Sequence, residues 1–352
     1  MKAWQLQKVG DLSLEHVAKP EPNANEVIVK VKACGICGSD IPRVFYKGTY
    51  SFPTIPGHEL SGVIDQVGRG VPSDHLGKKV AVFPLIPCMK CSSCQIGRYA
   101  QCEDYDYIGS RCDGGFAEYV RVPFWNLLFV PEEVSFEEAA MVEPAAVAVH
   151  ALRQAKIDIG DKVLISGAGP IGLLLASLAK IWGAEKCLLV DISDEKVQFA
   201  KDLGFEHVYN AKNGDLEELI RKETDGSGAD VAIEGAGNAI SLQNCLNSVR
   251  QFATVVLMGN PAGEMKIPQK EYWQILRKEL VVKGTWNSIV SSLPKNEWDL
   301  VLQLLHTKVL KVNPFITHRI GMDDLFQSMK LMESKGMFYN KVMLVNPEGG
   351  NR

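Results

Sequence analysis

Four of the nine cysteines in this chain of 352 residues lie in one short segment, PCMKCSSCQIGRYAQC (87–102). Their spacing is Cys88-x2-Cys91-x2-Cys94-x7-Cys102, and four thiolates so close together suit a tetrahedral Zn²⁺ ion. Sulfur would fill all four positions, so we expect this site to hold a loop together rather than to catalyse a reaction. An iron–sulfur cluster and unliganded loop thiols are the alternatives, although the ferredoxin continuation C-x3-C-P does not follow.

Catalysis therefore needs other residues, and three short segments offer them: CGICGSD (34–40), PGHELSG (56–62) and MVEPAAV (141–147). They supply Cys37, the His58–Glu59 pair and Glu143. A mixed set of thiolate, imidazole and carboxylate ligands that leaves one position open is typical of catalytic zinc. Taken singly, each signal is weak, because a lone cysteine in a glycine loop is more often structural and a lone histidine is usually a hydrogen-bonded polar residue.

A dinucleotide signature occupies the middle of the chain. The segment ISGAGPIG (165–172) places Gly167, Gly169 and Gly172 directly after an apolar strand, and Asp191 ends the next strand 19 residues later. Here the glycines permit a tight turn and close backbone approach to a pyrophosphate, which the helix N-terminus binds. Asp191 would accept hydrogen bonds from ribose hydroxyls and repel a 2′-phosphate, which favours NAD over NADP. A glycine turn without a ligand is the alternative.

Hydrophobic patterning divides the chain into two regions. Residues 1 to about 150 contain short strand-like runs between glycine and proline signals, such as EVIVKVK and KKVAVFPL. From there, apolar strands alternate with helical stretches, among them helices expected at 171–182 and 194–203. Such alternation predicts a doubly wound parallel sheet. The pattern alone does not place the tail after about residue 290.

Charge and hydropathy exclude several classes of protein. The net charge of −4 is mild, and no block of like charges suggests a nucleic-acid partner. The N-terminus lacks the apolar core of a secretion signal, and no apolar run is long enough to span a membrane. We therefore expect a cytoplasmic protein whose clustered cysteines serve metal binding rather than disulfides.

The order of these motifs resembles the zinc-dependent medium-chain dehydrogenases, and the resemblance extends over essentially the whole chain. It rests on the segments CGICGSD, PGHELSG, the four-cysteine loop, DGGFAEYV, VEP, GAGPIG and VDIS. The resemblance implies an α/β protein with a β-rich GroES-like catalytic domain and a Rossmann doubly wound parallel-sheet domain that binds NAD. It implies domain boundaries at 1–150 with 290–352 for the catalytic domain, and at 151–289 for the Rossmann domain.

The family pattern also implies roles for individual residues. Cys37 and His58 would ligate a catalytic zinc, Glu59 and Glu143 would ligate it directly or through water, and Asp40 would orient His58. Ser39 would pass the substrate proton outward. With the four-cysteine site this makes two zinc ions per chain. Cofactor contacts would come from the glycine turn, the start of its helix and the end of the next strand, namely Gly167, Gly169, Pro170, Ile171, Gly172 and Asp191. Cys34 precedes the motif and is expected to be a packed thiol, and Cys112, Cys187 and Cys245 match no ligand position.

Within the family the chain is most similar to the polyol dehydrogenases. CGSDIPRVFYKG, YDYIGSRCDGGFAEY and LRKELVVKGTWN imply a polyol phosphate substrate, galactitol 1-phosphate oxidised to tagatose 6-phosphate. Arg43, then Lys47, and Arg111 are candidates to bind the phosphate, although each could be a solvated surface cation. The alternative substrates are a free polyol such as sorbitol, or threonine. A further alternative is that the protein is a zinc-holding, nucleotide-binding module without turnover. VVKGTWNSIV (281–290) resembles a strand that pairs subunits, which implies a homodimer or homotetramer.

Overall fold

The computed structural model describes residues 1–261, 263–291 and 295–346. The chain forms two compact units. The first comprises Met1–Glu143 together with the described residues from Ile289 onward, and the second comprises Pro144–Ser288. Among the described residues, every helix is too short or too polar to cross a bilayer.

The N-terminal part of the first unit is built from short strands joined by long loops. Its strands are β1 (Lys2–Lys8), β2 (Asp11–His16), β3 (Glu26–Gly35), β4 (Glu59–Val67), β5 (Lys79–Val82), β6 (Leu85–Ile86), β7 (Asp106–Tyr107), β8 (Tyr119–Pro123) and β9 (Leu127–Phe129). Its helices are α1 (Asp40–Pro42), α2 (Ser92–Gln95) and α3 (Phe136–Ala140), and a π-helical turn, Arg43–Lys47, follows α1.

The second unit alternates strands and helices after the long helix α4 (Val142–Ala155), which begins in the first unit. Its elements are β10 (Lys162–Ser166), α5 (Pro170–Ile181), β11 (Lys186–Asp191), α6 (Asp194–Asp202), β12 (Val208–Asn210), α7 (Leu216–Glu223), β13 (Ala229–Glu234), α8 (Ala239–Ser248), β14 (Val249–Leu257), α9 (Gln269–Arg277) and β15 (Val281–Gly284). The C-terminal part of the first unit adds α10 (Glu297–His306), β16 (Ile316–Ile320), α11 (Leu325–Glu333) and β17 (Lys341–Val345).

A seven-stranded sheet organises the first unit, in the order β16-β17-β3-β4-β5-β9 with β8 also paired to β3. The C-terminal strand β17 lies antiparallel to β3, with Met343 opposite Gly35. Helix α11 packs Leu325 and Met329, both fully buried, into the same core as the apolar residues of β3 and β4. The tail that the sequence pattern could not place thus completes the N-terminal sheet.

The second unit contains the doubly wound parallel sheet that the alternation predicted. Its six parallel strands run in the order β12-β11-β10-β13-β14-β15. The central strands β10 and β13 each contain an apolar, buried run, residues 163–165 and 231–233, as expected for strands covered by helices on both faces. Helices α5 and α6 lie within one residue of the expected bounds. The α/β fold class predicted from the sequence is confirmed.

Candidate metal centres and dinucleotide site

The four cysteines of the 88–102 loop converge around one point. Their Sγ atoms all lie within 4.8 Å of one another, and the Cys88–Cys94 and Cys91–Cys102 pairs are each separated by 3.9 Å. A tetrahedral ion with metal–sulfur bonds of about 2.3 Å would separate its ligand sulfurs by about 3.8 Å. The set therefore fits a single tetrahedral ion and is far too wide for disulfide bonds.

The backbone of this loop favours ionised sulfur. Main-chain N–H groups of Cys91 and Cys88 point at the sulfurs of Cys88 and Cys102, at 3.4 and 3.3 Å. Hydrogen bonds from backbone N–H groups, that of Glu103 first, lower the pKa of Cys91 to about 6. Burial instead raises the pKa of Cys94 to about 12. A bound cation is what would allow all four thiolates to form together.

The second constellation joins Cys37, His58 and Glu59, whose ligand atoms also lie within 4.8 Å of one another. The antiparallel pairing of β3 with β4 brings them together, because Gly35 at the end of β3 lies opposite Glu59 at the start of β4. Gly35 has to be a glycine here, since a Cβ atom at that position would collide with the Glu59 carboxylate. His58 and Glu59 are buried, so this donor set is preformed inside the unit.

Asp40 organises the loop that carries Cys37. It is fully buried, accepts the Cys37 N–H at 3.0 Å and a guanidinium N–H of Arg43 at 2.5 Å, and lies 3.5 Å from Nδ1 of His58. That nitrogen is buried and otherwise lacks a hydrogen-bond partner among the described residues. In the absence of a bound cation, burial acts to lower the pKa of His58, but the charges of Asp40 and Cys37 outweigh burial and raise this pKa well above its ordinary value. The arrangement holds His58 in one orientation.

Glu59 has a partner that the sequence did not suggest. Lys341, 3% exposed, donates to both carboxylate oxygens of Glu59 at 2.6 and 2.8 Å and to the carbonyl of Ile36 at 3.2 Å. This lysine lies on β17, 282 residues further along the chain, and only the β17–β3 pairing brings it here. A balanced ion pair therefore sits beside Cys37 and His58.

Glu143, at the start of α4, is buried but, among the described residues, lies outside the compact group of Cys37, His58 and Glu59. Its Oε1 is 3.5 Å from the Tyr107 hydroxyl, and the Tyr107 ring meets the His58 ring edge-on at 5.7 Å. Burial raises the pKa of Glu143 to about 7. The Glu143 carboxyl is thus connected to His58 through the side chain of Tyr107.

The remaining candidates of the first unit differ in their surroundings. Ser39 lies half-buried at the start of α1, two residues after Cys37. Arg43 is mostly buried against Asp40, whereas Lys47 is exposed. The guanidinium of Arg111 lies between the rings of Tyr50 and Tyr105, at 4.1 and 4.2 Å from their centroids. Of the three cations, Arg43 is thus committed to a carboxylate, and Arg111 is held in a fixed position by two aromatic rings.

The glycine turn of the second unit has the geometry that its sequence predicts. Gly167 adopts a positive φ of 109°, and a Cβ atom at Gly172 would collide with the Gly167 carbonyl, while Gly169 faces open space. The turn leads directly into α5, with Pro170 at its first position and Ile171 next. Backbone N–H groups at this helix start are available to an anion.

Asp191 ends β11 beside that turn. Its Oδ2 accepts the N–H of Ala168 at 2.8 Å, and its Oδ1 accepts those of Ile192 and Ser193 at 2.8 and 3.0 Å. A carboxylate has about four lone-pair positions, so these three hydrogen bonds leave one acceptor position on Oδ2, which also faces Nζ of Lys196 at 3.8 Å. The Asp191 carboxylate is thus held in place and retains capacity for a hydroxyl donor.

Comparison with known protein families agrees with this geometry. Residues 23–132 match the model of the alcohol dehydrogenase GroES-like domain, and residues 170–307 match that of the zinc-binding dehydrogenases. The chain belongs to the zinc-binding alcohol dehydrogenase family. It is accordingly an oxidoreductase that acts on alcohol groups, which removes the alternative of a module without turnover.

Several relatives resemble this dehydrogenase over nearly its full length. Galactitol 1-phosphate 5-dehydrogenase of Escherichia coli is 35% identical over 331 residues, which cover 94% of this chain and 95% of that protein. Sorbitol dehydrogenase of Bacillus subtilis is 32% identical over 352 residues, covering 98% and 96%. The crystal structure of galactitol-1-phosphate dehydrogenase from Escherichia coli superposes with a TM-score of 0.92 at 34% identity, covering 98% of this chain and 100% of that one.

Relatives have also been solved with either nicotinamide cofactor. A zinc-binding dehydrogenase from Sinorhizobium meliloti is bound to NADP, with a TM-score of 0.89, 30% identity and coverage of 98% and 99%. An alcohol dehydrogenase from Escherichia coli CFT073 is complexed with NADH, with a TM-score of 0.89, 32% identity and the same coverage. These two relatives therefore bind different nicotinamide cofactors.

Proposed function

We propose that this dehydrogenase oxidises a secondary alcohol of a polyol phosphate and transfers the hydride to NAD, with galactitol 1-phosphate as substrate and tagatose 6-phosphate as product. The observation that supports this chemistry is the convergence of Cys37 with the buried His58 and Glu59. The first unit would be the catalytic domain and the second the NAD-binding domain. The likeness to the Escherichia coli enzyme supports the choice of substrate.

In this proposal Cys37 and His58 would ligate the catalytic zinc, and Glu59 and Glu143 would complete the set directly or through water. Bound zinc would supply a Lewis acid that lowers the pKa of the substrate hydroxyl. Asp40 orients His58 through its Nδ1 side, as histidine ligands generally require. Lys341 donates to both carboxylate oxygens of Glu59 and so supplies a counter-charge beside it.

Ser39 would accept the hydroxyl proton of the substrate and pass it outward, because it is the half-buried hydroxyl nearest in the chain to Cys37. The second zinc would occupy the set Cys88, Cys91, Cys94 and Cys102 and stabilise its loop. Both sites need reduced thiolates, which supports the proposal of a cytoplasmic location.

For the cofactor we favour NAD. The pyrophosphate would lie on the backbone N–H groups between Gly167 and Gly172, at the start of α5. The remaining acceptor position on Asp191 suits a ribose hydroxyl, whereas the phosphate of NADP would meet a like charge there. The four glycine-turn and helix-start residues Gly169, Pro170, Ile171 and Gly172 would contact the same group.

For the substrate phosphate, Arg111 is the preferred partner. The two tyrosine rings hold its guanidinium in place, and one N–H donates to the Tyr105 carbonyl at 3.1 Å, which leaves further donors on the same group. The same turn carries Tyr107, whose ring contacts His58. Arg43, the first choice from the sequence, already donates to the buried Asp40, and Lys47 is exposed on the surface.

The test is a comparison of kcat/KM for galactitol 1-phosphate, galactitol, sorbitol and threonine, followed through NADH absorbance with and without a chelator. Galactitol 1-phosphate should be the best substrate, and the chelator should abolish turnover. Arg111→Met should lower kcat/KM for the phosphorylated substrate about ten- to a hundredfold and leave galactitol unaffected. Lys47→Met is the matched control. Equal or better use of the free polyols would favour the sorbitol-type alternative.

We also propose that the chain assembles as a homodimer or homotetramer through β15. This strand is the edge of the parallel sheet and exposes Val281 and Val282, and the neighbouring Trp286 is 56% exposed. An apolar edge strand is a surface that another strand covers by pairing. Light scattering after gel filtration should give a dimer or tetramer, and Val281→Lys should shift it toward a monomer. A monomeric wild-type protein would refute the assembly.

A further inference from the structure

A buried glutamate holds the loop at one edge of the parallel sheet. Glu234 ends β13, is 1% exposed, and uses Oε1 to accept the N–H groups of Ala236 and Gly237 at 2.9 and 2.8 Å. The same oxygen accepts the hydroxyl of Ser241 in the first turn of α8. One carboxylate oxygen thus joins the strand, the loop 235–238 and the following helix.

The backbone around this loop is packed too closely to accommodate other side chains. The N–H of Gly235 donates to the carbonyl of Ser166 at 3.0 Å. Gly237 has a positive φ of 68°, and a Cβ atom there would collide with the carbonyl of Asn260. A Cβ atom at Gly259 would collide with the nitrogen of Gly237. The loop is therefore fixed against the ends of both neighbouring strands.

The position of the loop in the sheet connects it to the dinucleotide. Strands β11 and β13 lie on opposite sides of β10, so the strand order reverses between β10 and β13. Ligands of open parallel sheets bind in the crevice at this reversal, outside the carboxyl ends of the strands. One wall of the crevice is the glycine turn at Gly167, and the other is the loop 235–238. A Cβ atom at Gly167 would lie 3.6 Å from the carbonyl carbon of Gly235, so the two walls face each other closely.

We propose that Glu234 is a positioning residue for the dinucleotide, which it serves by holding the loop 235–238 in the shape of the crevice wall before the cofactor arrives. This inference rests on the proposed nicotinamide cofactor. A loop without its anchor would have to be ordered on binding, and that entropy cost weakens affinity. Oε1 of Glu234 accepts two N–H groups of the loop and the Ser241 hydroxyl of α8, so the carboxylate does more than fill space.

The test is a fluorescence titration of NADH, without any polyol, into the wild-type protein and into Glu234→Gln, Glu234→Ala and Ser241→Ala. Thermal unfolding of each variant is measured alongside. Glu234→Gln retains an acceptor but loses the charge, so its Kd for NADH should rise a few-fold, and that of Glu234→Ala about tenfold or more. The Kd of Ser241→Ala for NADH should lie between those of the wild type and Glu234→Ala. Hydrogen exchange of the Ala236 and Gly237 amides in the cofactor-free protein should become faster in the same order.

Glu271→Gln is the matched control. Glu271 is also buried in the second unit, but it accepts from Asn247 at the opposite end of α8 from Ser241. Its substitution should lower the melting temperature without changing the Kd for NADH. An unchanged Kd for NADH in Glu234→Gln and Ser241→Ala would overturn the inference, even if both variants have a lower melting temperature. These two variants are sufficient for the test if Glu234→Ala fails to fold. Since no polyol is present, this outcome is independent of the substrate assignment.

Discussion

Replacing Lys341 by methionine tests the internal electrostatics of the candidate active site. Both partners of the Lys341–Glu59 pair are at most 4% exposed at the side chain, with separations of 2.6 and 2.8 Å. At an effective dielectric constant of about 20, such charges attract by about 6 kcal/mol, and desolvation offsets much of that. Removing one partner leaves an unpaired buried charge. We expect the free energy of unfolding to fall by about 3–5 kcal/mol.

The assay is urea denaturation of chelator-treated protein, because a bound cation would compensate the charge of Glu59. A double-mutant cycle with Lys341→Met and Glu59→Gln should give a coupling free energy of at least about 1 kcal/mol, so that the double variant loses less than the sum of the single variants. Lys19→Met is the matched control. Its pair with Asp65 is equally short at 2.5 Å, but the two side chains are 32% and 26% exposed, so the loss should stay below about 1 kcal/mol. A coupling close to zero for Lys341 and Glu59 would refute this reasoning.

Three further outcomes are expected. Cys37→Ser should abolish turnover and release one equivalent of zinc while the protein stays folded, whereas Cys91→Ser should first lower the melting temperature. Metal analysis with activity assays distinguishes the two variants, and an active Cys37→Ser variant would contradict the assignment of the catalytic site. Asp191→Ala should raise the KM for NAD about ten- to a hundredfold and improve the relative use of NADP, measured by steady-state kinetics; a wild-type preference for NADP would contradict the role of Asp191. Lys278→Met should lower the free energy of unfolding by about 1.5–3 kcal/mol and leave kcat/KM unchanged. The reason is that Lys278 donates to the Asn247 and Val249 carbonyls at the end of α8, at 2.9 and 2.7 Å. Urea denaturation measures the effect, and unchanged stability would count against this contribution.

The features that sequence reasoning found are those set by short segments. The four cysteines fall within 15 residues of one another, and the glycine turn with its strand and helix is continuous in the chain. Local spacing is enough to predict both, and the alternation of strands and helices was enough to predict the parallel sheet. The structure brings Cys37, His58 and Glu59 together as the mixed donor set requires.

The features that sequence reasoning missed depend on strand pairing between distant segments. Lys341 meets Glu59 only because β17 pairs with β3, and a lysine at the start of an apolar strand carries no local signal of a carboxylate partner. The Asp40–Arg43 contact was within reach, since residues three apart on a helical turn are neighbours. Glu234 could have been noted as a charged residue that ends a strand directly after the apolar run 231–233.

The pairing of β17 with β3 also determines when the site can be assembled during synthesis. The second unit is one uninterrupted segment, whereas the sheet of the first unit needs its last strand from the C-terminal part of the chain. While the ribosome is still making the second unit, the chain does not yet contain Lys341, the partner of Glu59, and residues 33–35 of β3 lack the strand that pairs with them. We therefore expect the second unit to fold first, and stable zinc loading at Cys37 and His58 to follow release of the finished chain.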